Sequence, residues 1–125
     1  MSDRQARGAL GYLQLPTTDL DASIAFYEAV LGWRGEATYG SFEAPGLIGQ
    51  WTTELAPTDD GPVPWFVVDD LYRALTQVAE HGGSVRQPPM LDQGERWLAE
   101  VSDPSGNRLG LVARVTTARA QTMLM

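Results

Sequence analysis

The stretch DLDASIAFYEAVLG, Asp19 to Gly32, returns in altered form as DLYRALTQVAEHGG, Asp70 to Gly83. Asp19, Leu20 and Gly32 recur as Asp70, Leu71 and Gly83, each 51 positions further on. In the first copy Leu20, Ile24, Tyr27 and Leu31 form one apolar stripe at helical spacing. In the second, Leu71, Leu75 and Val78 match Leu20, Ile24 and Tyr27 one for one. Thr18 or Asp19 can cap the first helix, and Asp69 or Asp70 the second, because their side-chain oxygens accept from the free N–H groups of a first turn. Asp21 suits the positive end of the helix dipole. Gly32, and the pair Gly82–Gly83, supply the left-handed turn that stops each helix.

Strand patterns flank both copies. In YLQLP, Tyr12 to Pro16, Leu13 and Leu15 alternate with Tyr12 and Gln14, and Pro16 removes a ladder donor at the end. After the first helix the spacing predicts strands at 33–38, 39–44 and 47–54, with Gly40 and Pro45–Gly46 at the turns. VPWFVV, Val63 to Val68, opens the second half, and strands are expected at 84–87, 96–102 and 108–113 after its helix. DPSGN, Asp103 to Asn107, is a tight turn before the last of them. The order is βαβββ, twice. Each helix has one apolar face and covers one side of a sheet. The expectation is one α+β domain: residues 1–8 a tail, 9–54 the first module, 55–62 a linker, 63–113 the second module, and 114–125 a C-terminal tail. Its two mixed sheets curl around a cup between their uncovered faces.

The 125 residues are 43% hydrophobic, enough for one core. There is no cysteine, so disulfides, thiol chemistry and thiolate metal sites are excluded. No apolar run reaches the length of a membrane span, and MSDRQARGAL at the N-terminus lacks the apolar centre of a signal peptide. The expectation is a cytoplasmic protein with no membrane partner. Net charge is −7 and every basic residue is arginine; residues 8–113 hold 15 acids against 5 arginines. Such a surface repels nucleic acid and attracts cationic small molecules, although acidity also serves solubility alone. The sole histidine, His81, stands just before the glycines that end the second helix, so no Ser–His–Asp set forms around it. The Gly82–Gly83 pair ends a helix rather than starting one, so it is not a phosphate loop.

PTTDLDASIAFYEAVLGW, VDDLYRALTQVAEHGG and DPSGNRLGLV together resemble the vicinal oxygen chelate superfamily, which includes glyoxalase I, extradiol dioxygenases and bleomycin-type resistance proteins. The resemblance covers nearly all of residues 11–113. It implies a divalent metal in the cup, held by His, Glu or Gln from a first and a last strand of each half. Carried over, these positions fall on Tyr12, Val63, Gly110 and a residue of the strand 47–54, where Gln50 is the one candidate donor. A metal needs three or four converging donors. Val63 and Gly110 offer none, and Tyr12 must first lose a phenol proton of pKa about 10. No metal and no cofactor are therefore expected at the family position.

Strand alternation turns Tyr12, Gln14, Val63, Trp65, Val67, Arg108, Gly110 and Val112 toward the cup. The candidate ligand-binding residues are Tyr12, Gln14, Trp65 and Arg108, with Trp51 and Trp97 on other strands of the same sheets. For the last two, core packing is the plainer explanation, and Arg108 fits a solvated residue beside the DPSGN turn as well as an anchor for an anionic group. A lining of rings and amides suits a small aromatic molecule, and the acidic chain and tryptophans suit a cationic one. Two functions stay open. One is a metal-free binding protein resembling the drug-sequestering members, which we favour. The other is a lyase, isomerase or tailoring enzyme acting without the usual metal, with Tyr12 or one of Glu43, Glu54 and Glu100 moving the proton. A domain kept for association with a larger partner is a third and blander reading. The resemblance also implies a homodimer, with the two halves paired within one chain or between chains.

Overall fold

The computed structural model describes residues 7–57 and 60–115. Along the chain lie β1 (Tyr12–Pro16), α1 (Leu20–Leu31), β2 (Arg34–Glu36), β3 (Ser41–Ala44), β4 (Leu47–Thr52), β5 (Trp65–Val67), α2 (Leu71–Glu80), β6 (Ser84–Asp92), β7 (Arg96–Ser102) and β8 (Arg108–Arg114). This is the doubled βαβββ order. Asp19 caps α1 by accepting from Ala22 N–H, and Asp70 caps α2 by accepting from Arg73 N–H. Gly32 ends α1 with φ of 71°, in the left-handed region where glycine meets no Cβ penalty. At the end of α2 His81 is the cap residue, and its ring nitrogen lies 2.9 Å from the Gln77 carbonyl.

The strands form two open four-stranded sheets, ordered β1-β4-β3-β2 and β5-β8-β7-β6. In each, the first strand runs parallel to the last and the remaining pairs are antiparallel. The crossover from a strand through a helix requires this parallel pair. Each sheet has one side packed against helices. Leu15, Phe42 and Trp51 face the core from the first sheet, and Trp97, Ala99, Val101, Leu109, Leu111 and Ala113 from the second. Among the described residues no helix is long and apolar enough to cross a membrane.

One core serves both halves. Tyr27 stacks on Trp33 at 4.8 Å, and Trp33 stacks on Phe42 at 4.5 Å and meets the edge of Phe66 from the second half. Phe26 is fully buried against Gly83, where an added Cβ would come within 2.7 Å of its ring. Polar contacts close the seam. Asn107 donates its amide to the Pro16 carbonyl at 2.7 Å, and Tyr27 donates its hydroxyl to Asp103 at 2.7 Å. Asp103 also accepts from the backbone N–H groups of Ser105 and Asn107, so it is fully engaged at 3% exposure.

The expected strand bounds need correction at six strands. β2, β3, β4 and β5 are shorter than expected, and residues 37–40 form the turn between β2 and β3. β6 continues to Asp92, well beyond residue 87. It is the border strand of its sheet, so Pro88 and Pro89 interrupt no inner ladder, and register shifts between Val85, Gln87 and Met90 absorb them. β8 runs to Arg114, one residue beyond the expected 113, and Val115 N–H bonds the Glu95 carbonyl. Of the expected tails and linker, residues 1–6, 58–59 and 116–125 lie outside the described residues.

Candidate functional site

Alternation along the strands leaves one face of each sheet free of helices. On the first sheet this open face carries Tyr12 and Gln14 from β1 and Ile48 and Gln50 from β4. Gln14 and Gln50 are direct partners across the parallel pair. Tyr12 donates its hydroxyl to Gln50 Oε1 at 3.2 Å, and Gln50 Nε2 donates to the Tyr39 carbonyl at 3.2 Å. The chain fixes which way the Gln50 amide points. It leaves the Tyr12 oxygen free to accept, and Gln14 free to donate and accept.

On the second sheet the open face is built around Trp65. Trp65 and Gly110 are partners on β5 and β8, and the indole lies flat over Gly110. A Cβ at 110 would collide with the indole atoms Cδ2, Cε3 and Cε2. One side of the ring is thus seated on the sheet, and the residue remains 44% exposed. Leu98, Val112 and Arg96 join Trp65 around a cavity of about 230 Å3. Glu100 stands opposite Gly110 on β7, and its carboxylate pairs with the Arg108 guanidinium. Where the halves meet, Gln14 and Arg108 line one cavity of about 200 Å3, together with Pro16, Val63, Pro64 and Asn107. A larger hollow of about 440 Å3 lies elsewhere, between the end of α1 and the start of α2. It holds none of the expected ligand residues.

The structure puts four of the six expected residues on open sheet faces, Tyr12 and Gln14 on the first sheet and Trp65 and Arg108 on the second, and of these Gln14 and Arg108 line one cavity. Trp51 and Trp97 do not join them. Both point to the helix side, at 4% and 5% exposure, and their indole N–H groups meet no acceptor among the described residues. Trp51 packs against Tyr27 and Phe42. Strand parity is the signal that assigns them: Trp97 shares a side with Ala99 and Val101, and Trp51 with Leu47. Trp33, which follows the Gly32 helix stop, is a core residue.

A family model for the Glyoxalase/Bleomycin resistance protein/Dioxygenase superfamily matches residues 9–111. The chain belongs to that superfamily. Solved structures of the superfamily share its fold. A glyoxalase/bleomycin resistance protein from Albidiferax ferrireducens T118 superposes with a TM-score of 0.70 at 23% identity, covering 84% of this chain and 98% of that one. A family enzyme from Burkholderia phytofirmans PsJN gives 0.69 at 15% identity, over 83% and 97%. Among curated proteins, "Putative glyoxylase CFP32" of Mycobacterium tuberculosis is 28% identical over 119 residues, which is 84% of this chain and 45% of that protein. The chain thus spans about half the length of the curated relatives it matches.

Superfamily enzymes hold a divalent metal, and the residues here do not fit one. The position of the last-strand carboxylate is Gly110, and the space above it is filled by the Trp65 ring. Val63 has no donor atom. The Tyr12 hydroxyl and the Gln50 amide oxygen, already hydrogen-bonded to each other, are two oxygens where a metal needs three or four converging donors. Among the described residues no three His, Cys, Asp or Glu side chains gather closely enough to hold an ion.

Proposed function

We propose that the chain is a binding protein that works without the superfamily's metal and holds a small aromatic organic molecule against its open sheet faces. One observation carries this reading: Trp65 is seated over Gly110, so a flat apolar ring stands where the family pattern projects a carboxylate. The free side of the indole is a stacking surface, and offset stacking adds about 0.5–1.5 kcal/mol beyond area burial. Tyr12, Gln14 and Arg108 supply the hydrogen bonds that orient a ligand, as a few polar groups do in most apolar sites. In this role the chain is like the drug-sequestering members of the superfamily, and it needs no cofactor. A second copy of the chain completes the site in our reading. Ile48 and Val67 are exposed on the open faces, and a homodimer would cover them. The net charge of −7 supports a soluble molecule with no nucleic-acid partner.

The test is a screen of aromatic compounds followed by tryptophan fluorescence and thermal shift, with metal analysis of the purified protein beside it. The expected result is a quenching ligand whose affinity falls about tenfold or more in Trp65→Ala, the loss of a buried aromatic contact. One tightly held divalent ion per chain, or a ligand indifferent to Trp65→Ala, overturns the reading.

An enzymatic reading, an isomerase or tailoring step on an aromatic metabolite, rests on Glu100. It is the carboxylate beside Gly110 on the open face. Its pairing with Arg108 favours a charge-holding role over proton transfer. Turnover abolished by Glu100→Gln would establish catalysis.

A further inference from the structure

The chain is acidic, yet the open face of its second sheet gathers arginines. Arg96 and Arg114 are direct partners across β7 and β8. Like charges opposed across a ladder destabilise it, so this pair calls for a counter-charge. One carboxylate is at hand: Asp92, 2.8 Å from Arg96 Nε. Arg114 is exposed and has no ion pair among the described residues. Glu95 is nearby in sequence, but it pairs through its backbone with Val115, and Val115 packs against the core on the opposite side of the sheet. Further along the same face, Glu100 is already held by Arg108. One guanidinium is left in excess. It stands opposite Arg96, which shares a cavity with Trp65, Leu98 and Val112.

We propose that this face takes an aromatic anion. The ring stacks on Trp65 with its edge against Leu98 and Val112, and a carboxylate or similar oxyanion reaches Arg96 and Arg114. This rests on the reading of Trp65 as the ligand platform and specifies what that platform receives. Planar guanidinium groups match planar oxyanions with two parallel hydrogen bonds. The charge of the whole chain favours cations only at long range, and about 8 Å of salt solution screens it under physiological conditions. Contacts at the face decide the sign.

Three probes with one ring and three charges test this: 2-naphthoate, 2-naphthamide and 2-naphthylmethylammonium, titrated into the full chain by calorimetry at physiological salt. Naphthoate is expected to bind most tightly, about fivefold or more over the ammonium probe, the size of an exposed ion pair. Arg114→Gln is expected to lower the ratio of naphthoate to naphthamide affinity by a similar factor. Arg73→Gln, the same charge change on α2, is expected to keep that ratio. Tightest binding by the ammonium probe, or a ratio that survives Arg114→Gln, overturns the proposal while leaving Trp65 as platform. If no probe binds, or if binding survives Trp65→Ala, the platform reading falls and this proposal falls with it.

Discussion

Tyr27 sits on α1 with its ring in the core and its hydroxyl on Asp103, a residue of the other half. Burial pushes its phenol well above the usual value of 10.0, and the neighbouring Asp103 carboxylate adds to the shift by repelling a second negative charge. A phenol whose pKa is raised on folding stabilises the native state fully below its unfolded value and loses that contribution as pH climbs toward the folded one. Stability of the chain is therefore expected to be level in this respect up to about pH 10 and to fall above it. Urea melts at several alkaline pH values measure the decline. Tyr27→Phe is expected to lower stability near neutrality by about 1–3 kcal/mol, the range for a hydrogen bond to a charged group, and to flatten the alkaline decline. A decline equally steep in Tyr27→Phe would assign it to some other group.

At the scale of elements, two glycines show what each sheet tolerates. Gly49 lies in β4 under the Phe42 ring and against the Leu13 carbonyl, so a methyl there collides with backbone as well as ring. Gly110 lies in β8 with the Trp65 ring as its nearest neighbour, and that ring borders solvent. Gly49→Ala is expected to cost about 3 kcal/mol or more, because β1 must move off β4. Gly110→Ala is expected to cost less in stability and to lift the indole from its seat, weakening aromatic ligands. Chemical melts and the Trp65-dependent quenching measure the two effects. The sequence speaks clearly at this scale where one period decides. The stripe of Leu20, Ile24 and Tyr27 marks the α1 face turned to its own sheet, and alternation alone puts Tyr12, Gln14, Trp65 and Arg108 on open faces. It is silent where an element serves two partners. Phe26, Ser23 and Val30 form a second buried side of α1, because that helix also touches α2. No single period announces such a helix. Arg96 opposite Arg114 is equally hidden, since register across a hairpin depends on its turn.

For the whole molecule, the shared core makes the doubling inseparable. Trp33 from the first half meets Phe66 from the second, and Asn107 ties the last turn to the end of β1. Neither half closes a core alone, so unfolding followed by fluorescence and by circular dichroism is expected to give one coincident transition. Two separated transitions would show that the halves melt independently. The border strand β6 has a further consequence. A nine-residue strand at the rim of a sheet, with Met90 and Leu91 half-exposed upon it, would ordinarily recruit strands from neighbouring molecules. Pro88 and Pro89 carry no N–H, and the register shifts around them break the regular ladder, so an incoming chain finds no continuous row to zip onto. Concentrated solutions ought to stay clear for this reason, and replacing both prolines with threonine would invite fibrous precipitation without touching the ligand face.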